Sequence, residues 1–150
     1  MSFENLGLSQ PVLQALALKE YTKSTPIQEQ AIPLLLQGRD LLGIAQTGTG
    51  KTAAFMLPSI DRLTASDKRP QPRTCRMLVL APTRELASQI AESARGYARF
   101  SHMNIATAVN SAGLTSQSLF ISTTANSSAV ALSSVTASCD PMVESVPRCS

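Results

Sequence analysis

The strongest chemical signal in the sequence is "AQTGTGKT", which runs from Ala45 to Thr52. A phosphate chain needs several N–H donors and a cation, and Gly48 and Gly50 allow the backbone to wrap closely around it. Lys51 would reach the β- and γ-phosphates, and the Thr52 hydroxyl would hold Mg²⁺. The general sequence pattern of phosphate-binding loops begins with Gly, whereas this chain has Ala45 at that position. We therefore predict a phosphate-binding loop, with an incidental Gly-rich turn as the alternative. The residues predicted to surround the phosphates are Ala45, Gln46, Thr47, Gly48, Thr49, Gly50, Lys51 and Thr52.

Two segments that precede this loop have the pattern of capped helices. Ser9 is placed to cap the first of them. Thr25 is the expected N-cap of the second, with Pro26 at the first helical position and Gln28 three residues after the cap. Thr25 and Gln28 therefore predict a capping box, and Gly38 would end this helix.

Short apolar runs alternate with helical patterns from the loop to residue 109. Residues 40–45 form an apolar run that leads into the loop, and residues 51–63 predict the helix after it, whose N-terminal dipole favours phosphate. Residues 75–81 and 103–109 are two further strand candidates, separated by a helical pattern that begins after Thr83. Strands that alternate with helices predict an α/β fold with a parallel sheet flanked by helices.

Three motifs in this part of the chain resemble those of one protein family. "AQTGTGKTAAFMLP" is similar to motif I of the DEAD-box ATP-dependent RNA helicases, "TPIQ" resembles their Q motif, and "PTRELA" resembles their motif Ia. Order and spacing also fit, so the resemblance covers about residues 2–109 and looks like a bacterial member. It implies a P-loop NTPase domain of the RecA type, with ATP and Mg²⁺ as cofactors and RNA as the partner.

The resemblance also implies roles for two residues near the Q motif. Gln28 would read the edge of adenine, for which an amide is suited because it offers a donor and an acceptor together. Tyr21 occupies the place of the family's aromatic residue and would stack on the base. The alternatives are the capping box alone for Gln28 and simple packing for Tyr21. Glu20 and Ser24 stand where the family has Gly and Pro, which bears on adenine selectivity.

Further roles follow from the resemblance in motifs I and Ia. Lys51 and Thr52 are the implied catalytic residues, with Thr52 also the Mg²⁺ ligand. Pro82, Thr83 and Arg84 would contact RNA backbone phosphates, which an arginine fork and helix-start N–H groups suit. The alternative is that Thr83 only caps its helix and Arg84 is a solvated residue of the first turn.

Residues 110–150 differ in composition from everything before them. They hold 11 Ser and 4 Thr in 41 positions, with Arg148, Asp140 and Glu144 as their charged residues. We therefore divide the chain into a partial RecA-like domain, residues 1–109, and a Ser/Thr-rich tail, residues 110–150, that we expect to be irregular or disordered. Our preferred hypothesis is a shift of the coding frame near residues 108–111; a natural linker and an independent fold are the alternatives.

Hydrolysis of ATP requires acidic residues that hold Mg²⁺ and orient water, which the family supplies from an Asp-Glu-Ala-Asp motif. That tetrapeptide does not occur in the chain. We therefore expect an ATP-binding N-terminal portion of an RNA helicase that does not turn over ATP alone. The alternatives are a non-catalytic nucleotide-binding or misfolded product and, with less support, another P-loop enzyme such as a small-molecule kinase.

Composition sets the remaining expectations. The net charge of +3 is compatible with a nucleic-acid partner, and we expect RNA binding by this chain to be weak. Three scattered cysteines match no zinc-ligand spacing and indicate free thiols in a reducing compartment, so we expect a cytoplasmic protein. We expect no membrane span, no signal peptide and no defined protein partner.

Overall fold

The computed structural model of the protein describes residues 2–66, 74–108 and, for the backbone, 117–122. The predicted character of the other tail residues lies outside the described residues. In chain order, the elements are a 3-10 helix Phe3–Leu6, α1 Gln10–Leu18, α2 Pro26–Leu36, α3 Lys51–Ala65, β1 Met77–Ala81, α4 Arg84–Tyr97, β2 Asn104–Ala108 and β3 Gln117–Ser122.

Helix α2 begins and ends where the sequence predicts. Thr25 is its N-cap with extended backbone, and Thr25 and Gln28 form the predicted capping box. Gly38 follows the helix with φ +80° and donates its N–H to the carbonyl of Leu35 at 3.0 Å. A left-handed glycine at this place satisfies a carbonyl of the last turn, so both helix-boundary signals are confirmed.

The start of α1 differs from the prediction in its capping group. The helix does follow Ser9, but the Ser9 side chain makes no capping bond, and its buried hydroxyl has no partner among the described residues. Instead, the backbone N–H of Ser9 donates to Oδ1 of Asp61 at 2.9 Å. The predicted role of Ser9 as a side-chain cap is therefore wrong: Ser9 is the N-cap by its backbone conformation, and its N–H bonds to α3.

The core lies where α3 packs between the other helices and the sheet. Met56, Leu57 and Ile60 recur at helical spacing on α3 and are fully buried. Val12 and Ile32, from α1 and α2, are buried in the same cluster. This packing fixes the N-terminal end of α3, and with it the loop that precedes the helix.

The sheet has the order β1-β3-β2, with β3 antiparallel to both neighbours. β1 and β2 consequently run in the same direction, with α4 connecting them, so the predicted α/β alternation is observed. Two details differ: the central strand is antiparallel, and it comes from the tail segment expected to be irregular. The segment "QSLFIS" is uncharged and rich in β-prone residues, which allows it to supply hydrogen-bond partners to both ladders.

Residues 40–45 are not a strand, contrary to the sequence prediction. Leu42 and Ile44 are 88% and 87% exposed. Apolar runs of this kind become strands when neighbouring strands pair with them and helices cover them, and none of the described strands pairs with this segment. It is therefore an irregular connection that leads from α2 to the loop.

Candidate functional site

The glycines of the loop 45–52 adopt the backbone conformations that a close wrap requires. Gly48 has φ +80° and Gly50 has φ +83°, both in the left-handed region. Gly50 is also the N-cap of α3, so the chain turns directly into the helix. The first N–H groups of a helix have no partner within it, and here they lie beside the loop as donors for an anion.

Lys51 folds back across the loop. Its Nζ donates to the carbonyl of Ala45 and, at 2.6 Å, to the carbonyl of Gln46. The hydroxyl of Thr49 donates to the same Gln46 carbonyl at 2.8 Å. The ammonium group is therefore held inside the curve of the loop by neutral carbonyl acceptors. Charged phosphate oxygens would accept stronger hydrogen bonds from it than these carbonyls do.

The start of α2 is tied to the loop by two side chains. The Thr25 hydroxyl donates to the carbonyl of Thr49 at 2.9 Å, and Nε2 of Gln28 donates to the carbonyl of Gly50 at 3.2 Å. At its other end, Oε1 of Gln28 accepts the N–H of Thr25 at 3.0 Å. Gln28 is 3% exposed, so its amide is a buried connector between the two segments.

The sequence motifs predict the capping box but not the bonds from Thr25 and Gln28 to the loop. A capping box requires only that Thr25 and Gln28 be three residues apart, whereas the bonds to Thr49 and Gly50 join positions more than 20 residues apart. The sequence feature that is compatible with the bond to Gly50 is the amide group of Gln28. The capping box uses only its acceptor, so its N–H donor is left for a second partner.

Replacing Gln28 with Ala should destabilise the protein by about 2 kcal/mol, since it leaves the Thr25 N–H and the Gly50 carbonyl without their buried partner. The measurement is urea unfolding followed by circular dichroism. Gln30→Ala is the matched control, because Gln30 is an exposed residue of the same helix and should change stability by less than about 0.5 kcal/mol. Equal stabilities of the two variants would contradict the connector role.

The structure places Tyr21 against α4. Its ring lies 6.3 Å from the ring of Tyr97, centroid to centroid, at an interplanar angle of 58°. Tyr21 is 44% exposed, whereas Tyr97 is 3% exposed. Burial, and then a side-chain hydrogen bond with Tyr21, raise the pKa of Tyr97 above its usual range. The sequence analysis did not indicate this pairing, because the two residues are far apart in the sequence.

Pro82, Thr83 and Arg84 lie at the turn from β1 into α4, and all three are exposed. The hydroxyl of Thr83 accepts the N–H of Leu86 at 3.2 Å, so Thr83 is the N-cap of α4. This capping bond is compatible with a contact to a phosphate, because the helix-start N–H groups and the Arg84 guanidinium face outward from the same turn.

Residues 2–66, 74–108 and 117–122 are the part of the chain that the structure describes. Within them, no three His, Cys, Asp or Glu residues come together as a metal-binding group. Their helices also include none with the length and apolar character that crossing a membrane requires.

The sequence and fold are similar to those of known helicases. The sequence model of the DEAD/DEAH box helicase family matches residues 25–136. The ATP-dependent RNA helicase SrmB of Haemophilus influenzae is 51% identical over 105 residues, which are 70% of this chain and 24% of that protein. The ATP-dependent RNA helicase DeaD of Escherichia coli is 52% identical over 98 residues, 65% of this chain and 15% of that protein.

Solved structures agree with this similarity. The RNA helicase Prp28 from Chaetomium thermophilum bound to ADP superposes with a TM-score of 0.60 at 42% identity, over 66% of this chain and 24% of that one. Dbp5 of S. cerevisiae, bound to RNA and ADP BeF3, gives a TM-score of 0.57 at 38% identity, over 67% of this chain and 25% of that one. The chain thus spans about a quarter or less of the length of these relatives.

Proposed function

The chain belongs to the DEAD/DEAH box helicase family, and from that premise we propose that it binds ATP at the loop 45–52 as part of an ATP-dependent RNA helicase. The observation that carries the proposal is the joining of this loop to the Q-motif residues. Thr25 and Gln28 hydrogen-bond to the loop carbonyls of Thr49 and Gly50. These bonds support the proposal because they hold the proposed phosphate-binding turn and the proposed base-reading amide in one unit.

The loop residues fit a nucleotide phosphate chain. Lys51 would exchange its bonds to the carbonyls of Ala45 and Gln46 for charge-assisted bonds to phosphate oxygens. The unpaired N–H groups at the start of α3 would donate to the same oxygens. The Thr52 hydroxyl, at the second position of the helix, would hold Mg²⁺, which neutralises phosphate charge when bound.

Recognition of adenine by Gln28 would require a rearrangement. Both ends of its amide are occupied, Oε1 by the Thr25 N–H and Nε2 by the Gly50 carbonyl. Gln28 is 3% exposed, so a base that offers its own acceptor and donor would reach the amide by replacing both partners. Release of the Gly50 carbonyl would then connect occupancy of the base site with the conformation of the loop.

RNA is the proposed macromolecular partner. Thr83 and Arg84 would contact backbone phosphates from the exposed turn that also carries Pro82, without reading base sequence. Such contacts are electrostatic and fall off with salt, so one turn should bind weakly by itself. We also propose a cytoplasmic location, in keeping with the odd number and scattered positions of the cysteines in the sequence.

We propose that the 150-residue chain alone binds nucleotide without hydrolysing it. The chain contains no Asp-Glu-Ala-Asp segment to orient the attacking water. The test is release of phosphate from ATP by the purified chain, with and without RNA. We expect no RNA-stimulated release, and turnover at the rate of about 1 per second or faster that is typical of enzymes would contradict the proposal.

The division of the chain after residue 109 also remains a proposal. The change in charge and Ser content supports it, while the family match extends to residue 136. Translation of the other two frames of the gene discriminates between the possibilities. A Gly-Gly turn, a Thr-Pro-Gly-Arg segment and an Asp-Glu-Ala-Asp segment in one of those frames would support a frame shift, and their absence from both would refute it.

A further inference from the structure

A cavity of about 350 Å³ lies at the other end of α3 from the loop 45–52. Its walls are the last turn of α2, the C-terminal half of α3 and the start of β1. An α-helix rises about 1.5 Å per residue, so Arg62 in the cavity wall is about 16 Å along α3 from Lys51. Pockets for small molecules have volumes of about 300–1,000 Å³. The cavity is therefore large enough for a small ligand, and it is separate from the proposed nucleotide site.

Two arginines from different elements line this cavity. Arg62 belongs to α3, and Arg76 directly precedes β1. Nη1 of Arg62 donates to the carbonyl of Leu35 at 3.3 Å, and Nη1 of Arg76 donates to the carbonyl of Leu63 at 3.1 Å. The described residues that line the cavity include no Asp or Glu. The charged side chains of the lining are therefore both cationic, which favours a ligand with a negative charge.

The guanidinium of Arg62 is held in place while it can still bind an oxyanion. It lies against the turn that ends α2, where a Cβ atom added at Gly38 would be 3.5 Å from its Nη2. A guanidinium has five N–H donors in a fixed fork, so it can bind an oxyanion and keep its bond to Leu35. Bonds from a guanidinium to an oxyanion are also about twice as strong as those between neutral groups. Because Arg62 is exposed, an anion can reach it from solvent.

The rest of the lining indicates which kind of anion fits. Leu35, Leu63 and Met77 are half-buried and leave apolar surface in the cavity, which an apolar ligand body would cover. The C-terminal ends of α2 and α3 also lie here, and a helix end of this kind carries about half a negative charge. These ends oppose negative charge, so a head group with one negative charge is favoured over a phosphate with two.

We propose that this cavity is a binding site for a small carboxylate with an apolar body. The carboxylate binds Arg62 and Arg76, and the body covers Leu35, Leu63 and Met77. The site goes beyond the proposed function, because it uses none of the residues of the loop 45–52. The competing role of the arginines is to hold the ends of the helices through their carbonyl bonds, which would affect stability without binding a ligand.

The test is a titration of the full ¹⁵N-labelled chain with hexanoate, followed by the NMR shifts of its backbone amides. We expect saturable binding with a Kd of about 1 mM, as suits so small a ligand. The amides of Leu63 and Met77 should shift, and that of Gly48 should not. Acetate lacks the apolar body and hexanol lacks the charge, so each should bind about tenfold more weakly or less. Inorganic phosphate should also bind more weakly than hexanoate.

Two variants separate the charge from the space. Arg62→Gln should weaken hexanoate binding about threefold to tenfold, a modest factor because the guanidinium is partly solvated. Ser59 also lines the cavity, and Ser59→Leu should abolish binding by filling the space while both arginines remain. Arg99→Gln is the matched control, because Arg99 is exposed and does not line the cavity, so its affinity for hexanoate should be unchanged. Lys51→Ala should also keep the affinity for hexanoate.

Several results would overturn the inference. Shifts that do not saturate with hexanoate would show that the cavity is not a site, and equal affinities for hexanol and hexanoate would show that the charge is not recognised. Tighter binding of phosphate would refute the carboxylate head. Reduced stability of Arg62→Gln with unchanged affinity for hexanoate would leave the arginine its carbonyl-holding role alone. A chain that binds hexanoate but no ADP would refute the proposed function and not this site.

Discussion

Replacing Lys51 with Ala should remove most of the rise in melting temperature that ADP with Mg²⁺ gives the unmodified chain. Ligand at one hundred times its Kd stabilises a folded protein by about 2.7 kcal/mol. Loss of charge-assisted hydrogen bonds to phosphate costs about 1.5–3 kcal/mol, which weakens binding roughly tenfold to a hundredfold. At the same ligand concentration, a hundredfold loss leaves only about 0.4 kcal/mol of stabilisation.

The measurement is thermal unfolding of both proteins at one fixed ADP concentration, with the unliganded melting temperature of each as its own reference. That reference matters because Lys51 also bonds to the carbonyls of Ala45 and Gln46, so the variant loses contacts within the loop. Lys23→Ala makes the same change at an exposed residue and should keep the full rise. An undiminished rise in Lys51→Ala would contradict the assignment of Lys51 as the phosphate-binding cation.

Replacing Gly50 with Ala should cost about 3 kcal/mol of stability. A left-handed backbone costs a residue with a Cβ atom about 1–2 kcal/mol, and Gly50 has φ +83°. The added Cβ would also collide with Nε2 of Gln28 and lie 3.3 Å from its Cδ. Gln28 is buried and bonded at both ends, so it can move aside only by breaking those hydrogen bonds, at about 1 kcal/mol each.

Two other glycines separate the two causes. Gly48 has φ +80° but no atom within 4 Å of an added Cβ, so Gly48→Ala should cost about 1–2 kcal/mol from backbone strain alone. Gly43 has neither a positive φ nor a neighbour within 4 Å, so Gly43→Ala should change stability by less than about 0.5 kcal/mol. Urea unfolding of the three variants should rank them in this order. Equal costs at Gly48 and Gly50 would show that contact with Gln28 contributes nothing.

Local features of the structure could be predicted from the sequence. The capping box of Thr25 and Gln28 and the cap at Thr83 depend on residues three positions apart, which a sequence pattern records directly. The left-handed glycines could be predicted for the same reason, because Gly beside a Lys-Thr helix start indicates a tight turn. The β1-α4-β2 alternation followed from apolar runs and helical spacing.

What could not be predicted depends on contacts between distant segments. The bond of Gln28 to Gly50 spans 22 positions, and the bond of Ser9 to Asp61 spans 52. Residues 40–45 have the composition of a strand. Whether such a segment forms a strand depends on whether neighbouring strands pair with it, which its own sequence does not show. The packing of the Tyr97 ring beside Tyr21 likewise joins residues that are far apart in the sequence.

Titration of the 150-residue chain with ADP and Mg²⁺ in a calorimeter tests the central claim most directly, namely that the loop 45–52 and the Q-motif residues form one adenine-nucleotide site. We predict saturable binding of one ADP per chain, displaced by inorganic pyrophosphate because both ligands require Lys51 and the start of α3. Absence of saturable binding by a chain that circular dichroism shows to be folded, or binding that pyrophosphate cannot displace, would contradict it.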